Sequence, residues 1–265
     1  MRKEKYPSDL TDQQFNRIKY MLPKAKLTGR PRELDPRDVL DAIFYVVRAG
    51  CAWRMLPKDF PNWKSVYHYF RLWKKSGLFK QINDKLRRLL RKQARRHSQP
   101  SAAILDSQSI KTTEVGGAER GYDANKKVNG RKRHILVDTL GLLLIVVVHS
   151  AGVQDRDGAK RVLEIVKSSY SRLRLIWTDS VYTGGLSDWL WRLRRRGKIR
   201  LEMIKRSDNM KGFVVQPRRW VVERTFGWFG RYRRLSKDYE RLPESSEAMI
   251  YLAMIRLMLT RIESA

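Results

Sequence analysis

Apolar positions recur at helical spacing through the first hundred residues. The segment "LTDQQFNRIKYMLP" opens on a Thr11 cap and stops at Pro23. "GRPREL" (29–34) is a basic loop, and "GRPR" resembles a minor-groove hook. In "DPRDVLDAIFYVVRAG", Asp35 caps, Pro36 takes the first helical position and Gly50 falls just past the end. Its apolar positions 39, 40, 43, 46 and 47 share one face. In "NWKSVYHYFRLWKKSG", Trp63, Val66, Tyr67, Phe70 and Trp73 form an apolar face. Lys64, His68, Arg71 and Lys75 form a basic stripe opposite. A further amphipathic helix (78–95) runs into "RKQARRHSQPS", a polar basic linker. The expected division is a helical region over 1–98 and a second unit over 99–265.

Beyond residue 100 the period shifts to strands. "AAILD" (102–106) is a short buried run. "RKRHILVD" and "LLLIVVVHS" flank "DTLG" (138–141), which predicts a hairpin turn with Asp first and Gly last. Asp138 is thus a turn residue. "DGAKRVLEIVKSSY" predicts a helix opening at Asp157, with Asp155 and Asp157 as caps. "LRLIWTD" (173–179) and "IRLEMIK" (199–205) predict strands, and "GGLSDWLWRLRRRGK" between them a helix. "RSDNMKGFVVQ" is irregular, and helices follow over 220–235 and 245–262, the last burying Met249, Leu252, Ile255 and Leu259. The order is β-β-β-α-β-α-β-α-α, which places the chain in the α/β class.

Charge changes the picture more than composition does. Among 265 residues, 57 Lys and Arg against 27 Asp and Glu leave a formal net charge of +30. Such a surface calls for a polyanion, nucleic acid first. The single cysteine, Cys51, excludes an internal disulfide and a cysteine-rich zinc site. Neither the apolar run 142–148 nor "AMIYLAMIRLMLTRI", broken by Arg256 and Arg261, suits a bilayer span. A cytoplasmic, nucleoid-associated protein without a membrane partner is expected.

Three acids stand apart. Asp106 ends "AILD", Asp179 ends "LIWTD", and Glu223 is the lone carboxylate of "WVVERTFGWFGRYRRL". Strand ends are where α/β sheets hold ligands. Three carboxylates converging from two strands and a helix suit the oxygen preference of Mg²⁺. Two such ions about 4 Å apart can activate a water or 3′-hydroxyl and stabilise a leaving oxygen. Each acid also has a plain structural reading. Asp106 can cap a turn, Asp179 can be an ordinary strand end, and Glu223 can pair with Arg219 four residues earlier. Around Glu223, Gly227 and Gly230 leave its helix face low, whereas Trp220 and Phe229 are expected to turn towards the core or the partner layer.

With these pieces in hand, the chain resembles the bacterial DDE insertion-sequence transposases, in particular the insertion sequence five family. The resemblance rests on "LDSQSIKTTE", "GYDANKKVNGRKRHILVDTLGLLL", "WTDSVYTG", "RRWVVERTFGWFGRYRRLSKDYE" and, earlier, "GCAWRMLPKDFPNWKSVYHYFRLW", and spans the chain from about Leu10. It implies a ribonuclease H-like catalytic domain, a mixed sheet with flanking helices, behind an α-helical, helix-turn-helix-like DNA-binding region. It further implies Asp106, Asp179 and Glu223 as catalytic acids and metal ligands for two Mg²⁺ ions, with Mn²⁺ able to substitute. The implied reaction is DNA cleavage and strand transfer on terminal inverted repeats and target DNA, by a homodimer in the synaptic complex. Two departures stand out. In the wider Tyr–Arg–Glu–Lys signature, Arg219 and Glu223 fit, but Gln216 takes the Tyr position and Gly230 the Lys position, with Arg231 one step later. Ser180-Val181 follow the second Asp, where relatives often carry Gly.

The expected DNA-facing residues are Lys64, His68, Arg71 and Lys75 on the helical stripe. To these are added Lys126, Lys127, Arg131, Lys132 and Arg133 in the basic glycine-rich loop and strand, and Arg219 and Arg231 beside the acids. The alternatives are a nuclease or resolvase that cuts without joining, and an inactive DNA-binding regulator derived from a transposase.

Overall fold

The computed structural model describes residues 6–24, 33–179, 182, 185, 186, 189, 190, 199–204 and 219–263. The "GRPR" hook, Ser180-Val181, Gln216, the irregular 206–216 stretch and most of the expected 184–198 helix lie outside them. Four helices come first: α1 (Asp12–Ile18), α2 (Pro36–Ala49), α3 (Trp63–Lys75) and α4 (Leu78–Gln93). Their ends form where the sequence places them. Thr11 closes a capping box with Gln14, Asp35 accepts the Arg37 N–H, and Gly50 ends α2 in the left-handed region at φ 75°.

Six strands make one sheet: β1 (Ala102–Lys111), β2 (Gly121–Asp123), β3 (Val128–Asp138), β4 (Leu143–Ser150), β5 (Leu175–Thr178) and β6 (Arg200–Met203). The order is β2-β3-β1-β5-β6, with β4 also paired to β3. The β1–β3, β2–β3 and β3–β4 pairs are antiparallel, and β1–β5–β6 are parallel. The turn 138–141 forms as expected. Asp138 accepts the N–H groups of Leu140 and Leu142, and Gly141 takes φ 79°. Arg91 of α4 holds the same aspartate at 2.8 Å, locking the first helical layer to the hairpin.

In the sheet, β1 and β2 differ from expectation. β1 runs on to Lys111 rather than ending at Asp106, because β3 accompanies it to the Lys111–Gly130 pair. Its other neighbour, β5, ends at Thr178. The glycine-rich segment before β3 contributes a short strand, β2, rather than a loop alone.

Among the described residues three further helices follow: α5 (Asp155–Ser169), α6 (Trp220–Phe229) and α7 (Pro243–Glu263). α6 stops at Phe229 rather than running to Leu235 as expected, and a separate 3-10 turn covers Arg233–Leu235. α5 opens at Asp155 with Gln154 as its cap residue, so neither Asp155 nor Asp157 caps it. α7 is buried on nearly every side, as a helix apolar all round must be. Met249, Leu252, Ile255 and Leu259 share one core with Val39, Phe70, Phe79 and Leu86 of the early helices and with Val146 of β4. A second core, between sheet and α5, gathers Leu105, Leu136, Val162, Leu163 and Ile176. The early helices thus bury their apolar faces on α7 and the sheet, not on one another alone.

Candidate active site

The β1–β5 register sets the first two acids. Ala102 faces Leu175, Ala103 faces Ile176, and Ile104 faces Trp177. Asp106 and Asp179 each follow the last paired residues, Ile104 and Trp177, by two positions. Parallel pairing stops at Ile104 and Trp177 while β1 continues to Lys111, so both aspartates lie just past the end of the β1–β5 ladder.

Glu223 comes from α6, which docks on the 138–141 turn. The Thr225 hydroxyl donates to the Gly141 carbonyl at 2.9 Å and Arg224 to the Leu140 carbonyl at 3.1 Å. A Cβ on Gly141 would meet Thr225 Oγ1 at 2.9 Å, so this approach needs glycine. Val221, Val222 and Thr225 face inward, leaving Glu223 outward and 49% exposed on its side chain.

Arg219 joins the set. Its Nη2 lies 3.3 Å from Asp179 Oδ2 and 3.7 Å from Glu223 Oε1. The two carboxylates are therefore no farther apart than these two contacts end to end. The plain pairing of Glu223 with Arg219 exists, and the same guanidinium carries it to Asp179. Burial pushes the Asp106 carboxyl up to about 6, and Asp179 adds to this. The Ser107 N–H, Arg219 and Lys126 oppose it. Among the described residues no three His, Cys, Asp or Glu stand close enough as placed to hold a metal. Arg219 takes the position between Asp179 and Glu223 that a cation would claim. An oxygen-only donor set already gripping a cation fits a hard divalent ion, provided Arg219 swings aside.

Behind Asp106 lies a buried network that sequence reasoning missed. Ser107 donates to Asp155 at 2.7 Å, and Asp155 pairs with Lys132 at 3.3 Å. His134 and His149 share a hydrogen bond of 2.9 Å next to Asp155. Burial, and then His149, push His134 down to about 3, so it is neutral. A Cβ on Gly158 would meet His134 at 2.4 Å, so α5 closes directly over the pair. The one available signal was period: Lys132 and His134 share a strand face with the apolar Leu136.

The expected DNA-facing residues separate. Lys64, His68, Arg71 and Lys75 are all exposed on α3. His68, Arg71 and Lys75 line a groove of about 640 Å³ with Leu72, Lys74 and Leu242. Lys126 and Lys127 are exposed, and Lys126 donates to the Ser107 carbonyl beside Asp106 at 3.3 Å. Arg131, Lys132 and Arg133 are 0%, 3% and 1% exposed, with internal partners, so the expectation that they touch phosphate does not fit their placement. Arg231 is exposed, but it lines a cavity with Arg48, Arg256 and Arg261 rather than the acids. Phe229 is buried as expected. Trp220 is 41% exposed, with Arg224 stacked 4.3 Å above its ring, because α6 rests on Val221 and Val222 instead. A Cβ on Gly227 would meet nothing within 4 Å, which leaves its side of α6 open.

A family model described as "Transposase DDE domain" matches residues 97–258. The chain belongs to the DDE transposases. A second model, described as "Putative transposase of IS4/5 family", matches residues 10–83, which makes it a DDE transposase of the IS4/IS5 family. No curated protein and no solved structure matches the chain. The sheet of this transposase, four antiparallel strands continued by two parallel ones, is the ribonuclease H-like fold of its DDE domain. No described helix is long and apolar enough to cross a membrane.

Proposed function

We propose that this transposase binds the terminal inverted repeats of its element and, with two divalent ions, cleaves the DNA and joins the 3′ end to target DNA. It would act in the cytoplasm, on the nucleoid, as a homodimer in the synaptic complex. Asp106, Asp179 and Glu223 would hold the ions, Mg²⁺ or Mn²⁺, which when bound supply an activated oxygen nucleophile and neutralise charge on the phosphate. The observation that carries the reading is Arg219. One guanidinium contacts Asp179 and Glu223, and its charge also lowers the Asp106 carboxyl, which supports reading the three acids as neighbours of a single bound cation.

The chain's own groups would divide the remaining work. The end of the β1–β5 ladder would orient the two aspartates, and the α6 contact with the 138–141 turn would hold Glu223 towards them. Arg219, once displaced by metal, is at hand to hold a phosphate oxygen by a charge-assisted bond. Lys126, beside Asp106, supplies a second positive charge. The exposed stripe Lys64, His68, Arg71 and Lys75 would contact the element end, with residues 1–98 as the binding region and 99–265 as the catalytic one.

The test is strand transfer on end-bearing duplexes with Mg²⁺. Asp106→Asn, Asp179→Asn and Glu223→Gln are each expected to reduce cleavage to background while end binding stays within about twofold. Near-normal cleavage by any one of them removes that residue from the assignment. Cutting without joining by the wild type would favour a nuclease, and neither activity a DNA-binding regulator.

A further inference from the structure

At the far end of α6 from Glu223 lies a second basic site. A cavity of about 460 Å³ is lined by Arg48 from α2, Arg231 from the turn after α6, and Arg256 and Arg261 from α7, with Tyr232 and Thr260 among them. Among the described residues no carboxylate lines it. The arginines are held in place. Arg48 donates to the Arg231 carbonyl and stacks 5.6 Å over the Tyr232 ring. Arg256 donates to the Asp9 carbonyl at 3.0 Å and the Pro7 carbonyl at 3.2 Å, and Arg261 lies 4.1 Å over Trp228. Arg256 also donates to the Gln14 side-chain oxygen. These partners fix the geometry.

The crowding has an electrostatic signature. Burial pulls Arg261 down, and the positive charges of Arg224 and Arg231 pull it further. Burial raises the Tyr232 hydroxyl, while Arg256, Arg48, Arg231 and Arg261 all act to lower it. Four guanidiniums therefore converge on one phenol. Like charges this close repel, and an anion with several acceptor oxygens would relieve them while matching the planar forks of the arginines.

We propose that this cavity binds a backbone phosphate of the DNA strand on which the acidic site acts, a few nucleotides from the point of cleavage. Arg231 follows Glu223 by eight residues, just past the C-terminal end of α6, so a strand lying over the acids can run on along α6 to the cavity. The inference rests on the DNA-cleaving reading above. It assigns Arg231 to a separate phosphate clamp, built jointly by an early helix and the last one, rather than to the flank of the acids. Such a clamp would fix the register of the strand against the catalytic face.

The experiment uses the full chain, wild type and the variants Arg231→Ala, Arg48→Gln and Arg231→Lys. End-duplex binding is measured against salt, and single phosphates are replaced in turn by neutral methylphosphonates. Arg231→Ala should weaken binding roughly tenfold or more, the lower end for a bond to a charged group. It should also lower the log-affinity against log-salt slope by about 0.9, one phosphate's worth. Arg231→Lys should restore most of the slope. One methylphosphonate position should weaken the wild type and have no effect on Arg231→Ala. Arg48→Gln, at a different wall, should lose sensitivity at the same position. Thermal melting with inorganic phosphate runs in parallel. Stabilisation by inorganic phosphate that the variants lose, with DNA binding unchanged, means the cavity takes a free anion only and overturns the proposal. Unchanged slope and unchanged methylphosphonate pattern in folded variants overturn it as well. A wild type that binds no DNA at all would instead overturn the functional reading itself.

Discussion

Two basic runs in this transposase look equally ready for DNA as strings of letters, and the fold uses them in opposite ways. On α3, Lys64, His68, Arg71 and Lys75 stand in water on the face opposite Val66, Phe70 and Trp73. On β3, Arg131, Lys132 and Arg133 are buried. Arg131 donates to the carbonyls of Glu119, Glu240 and Arg241 and pairs with Asp238 at 3.4 Å. Lys132 pairs with Asp123 and Asp155, and Arg133 donates to the Leu235 carbonyl. A helix has a face that can remain uncovered. A central strand of a two-faced sheet has none, so its cations must be neutralised inside. Cationic residues therefore mark a DNA surface only where one side of the element is left bare.

The sharpest break between the two runs is expected in stability. Arg131→Ala would strip Asp238 of its guanidinium and leave several carbonyls without a donor, all out of water. Removing one partner of a buried ion pair costs about 3–5 kcal/mol. Urea denaturation should show that loss as a lower midpoint with the slope unchanged. If Arg131→Ala keeps wild-type stability and loses only DNA affinity, the burial argument fails and β3 rejoins the DNA surface.

The reciprocal effect belongs to α3 and is smaller. Arg71→Ala removes an exposed cation that lines the His68–Lys75 groove, so stability should stay within about 0.5 kcal/mol. Affinity for the element end should fall roughly tenfold, and the salt slope by about 0.9. Full-length protein is required, since α2, α3 and α4 bury their apolar faces against α7 and would be left uncovered in a 1–98 fragment. An Arg71→Ala variant that binds ends and random DNA as wild type does would reduce the stripe to a solvated face.

Much of the fold was legible because it depends on neighbours in sequence. Thr11 with Gln14, Asp35 with Pro36, Gly50, and Asp138 with Gly141 each settle a boundary locally. The apolar spacing of α3 correctly separates Val66, Phe70 and Trp73 from the basic stripe, but Tyr67, expected on the same apolar face, is exposed and Trp63 only half-buried. What was not legible depends on distant partners. Arg131 is covered by residues more than a hundred positions away, and no spacing within "RKRH" announces that. The continuous apolar run of β4 was the available hint, because a strand apolar on both faces implies a paired neighbour buried on both faces too. For the candidate site, the strand ends carrying Asp106 and Asp179 were readable from their apolar lead-ins. The reach of Arg219 across to Asp179 and the Ser107–Asp155–Lys132 support were not, since both join elements far apart in the chain. The outward turn of Trp220 was missed for a related reason: either Trp220 or its neighbour Val221 can face inward, and the hairpin turn selects Val221 and Thr225.

The smallest effect concerns the charge that the fold leaves poorly compensated. Buried β3 cations have dedicated partners, whereas Asp106, across the ladder from Ile135, has its carboxyl raised from 3.8 to about 6, first by burial. Between those two values the folded chain holds a proton that the unfolded chain has released. Stability from this group therefore falls as pH rises through that window, and the penalty is complete above pH 6. Asp106→Asn removes the ionisation and keeps the shape. It should melt higher than wild type at pH 7.5, by about 2–4 °C, the shift that roughly 1 kcal/mol gives in a chain of this size. The gap should shrink as pH drops from 6 and be small by pH 4, disappearing only below the unfolded-state value of 3.8, where the carboxyl is protonated in both states. Added Mg²⁺ should narrow the gap at pH 7.5, by stabilising the wild type more than the variant. Melting curves across pH 4–8 are the check, and a gap that stays flat over that range would show that Asp106 carries no burial penalty and that its environment resembles that of the neutralised cations on β3.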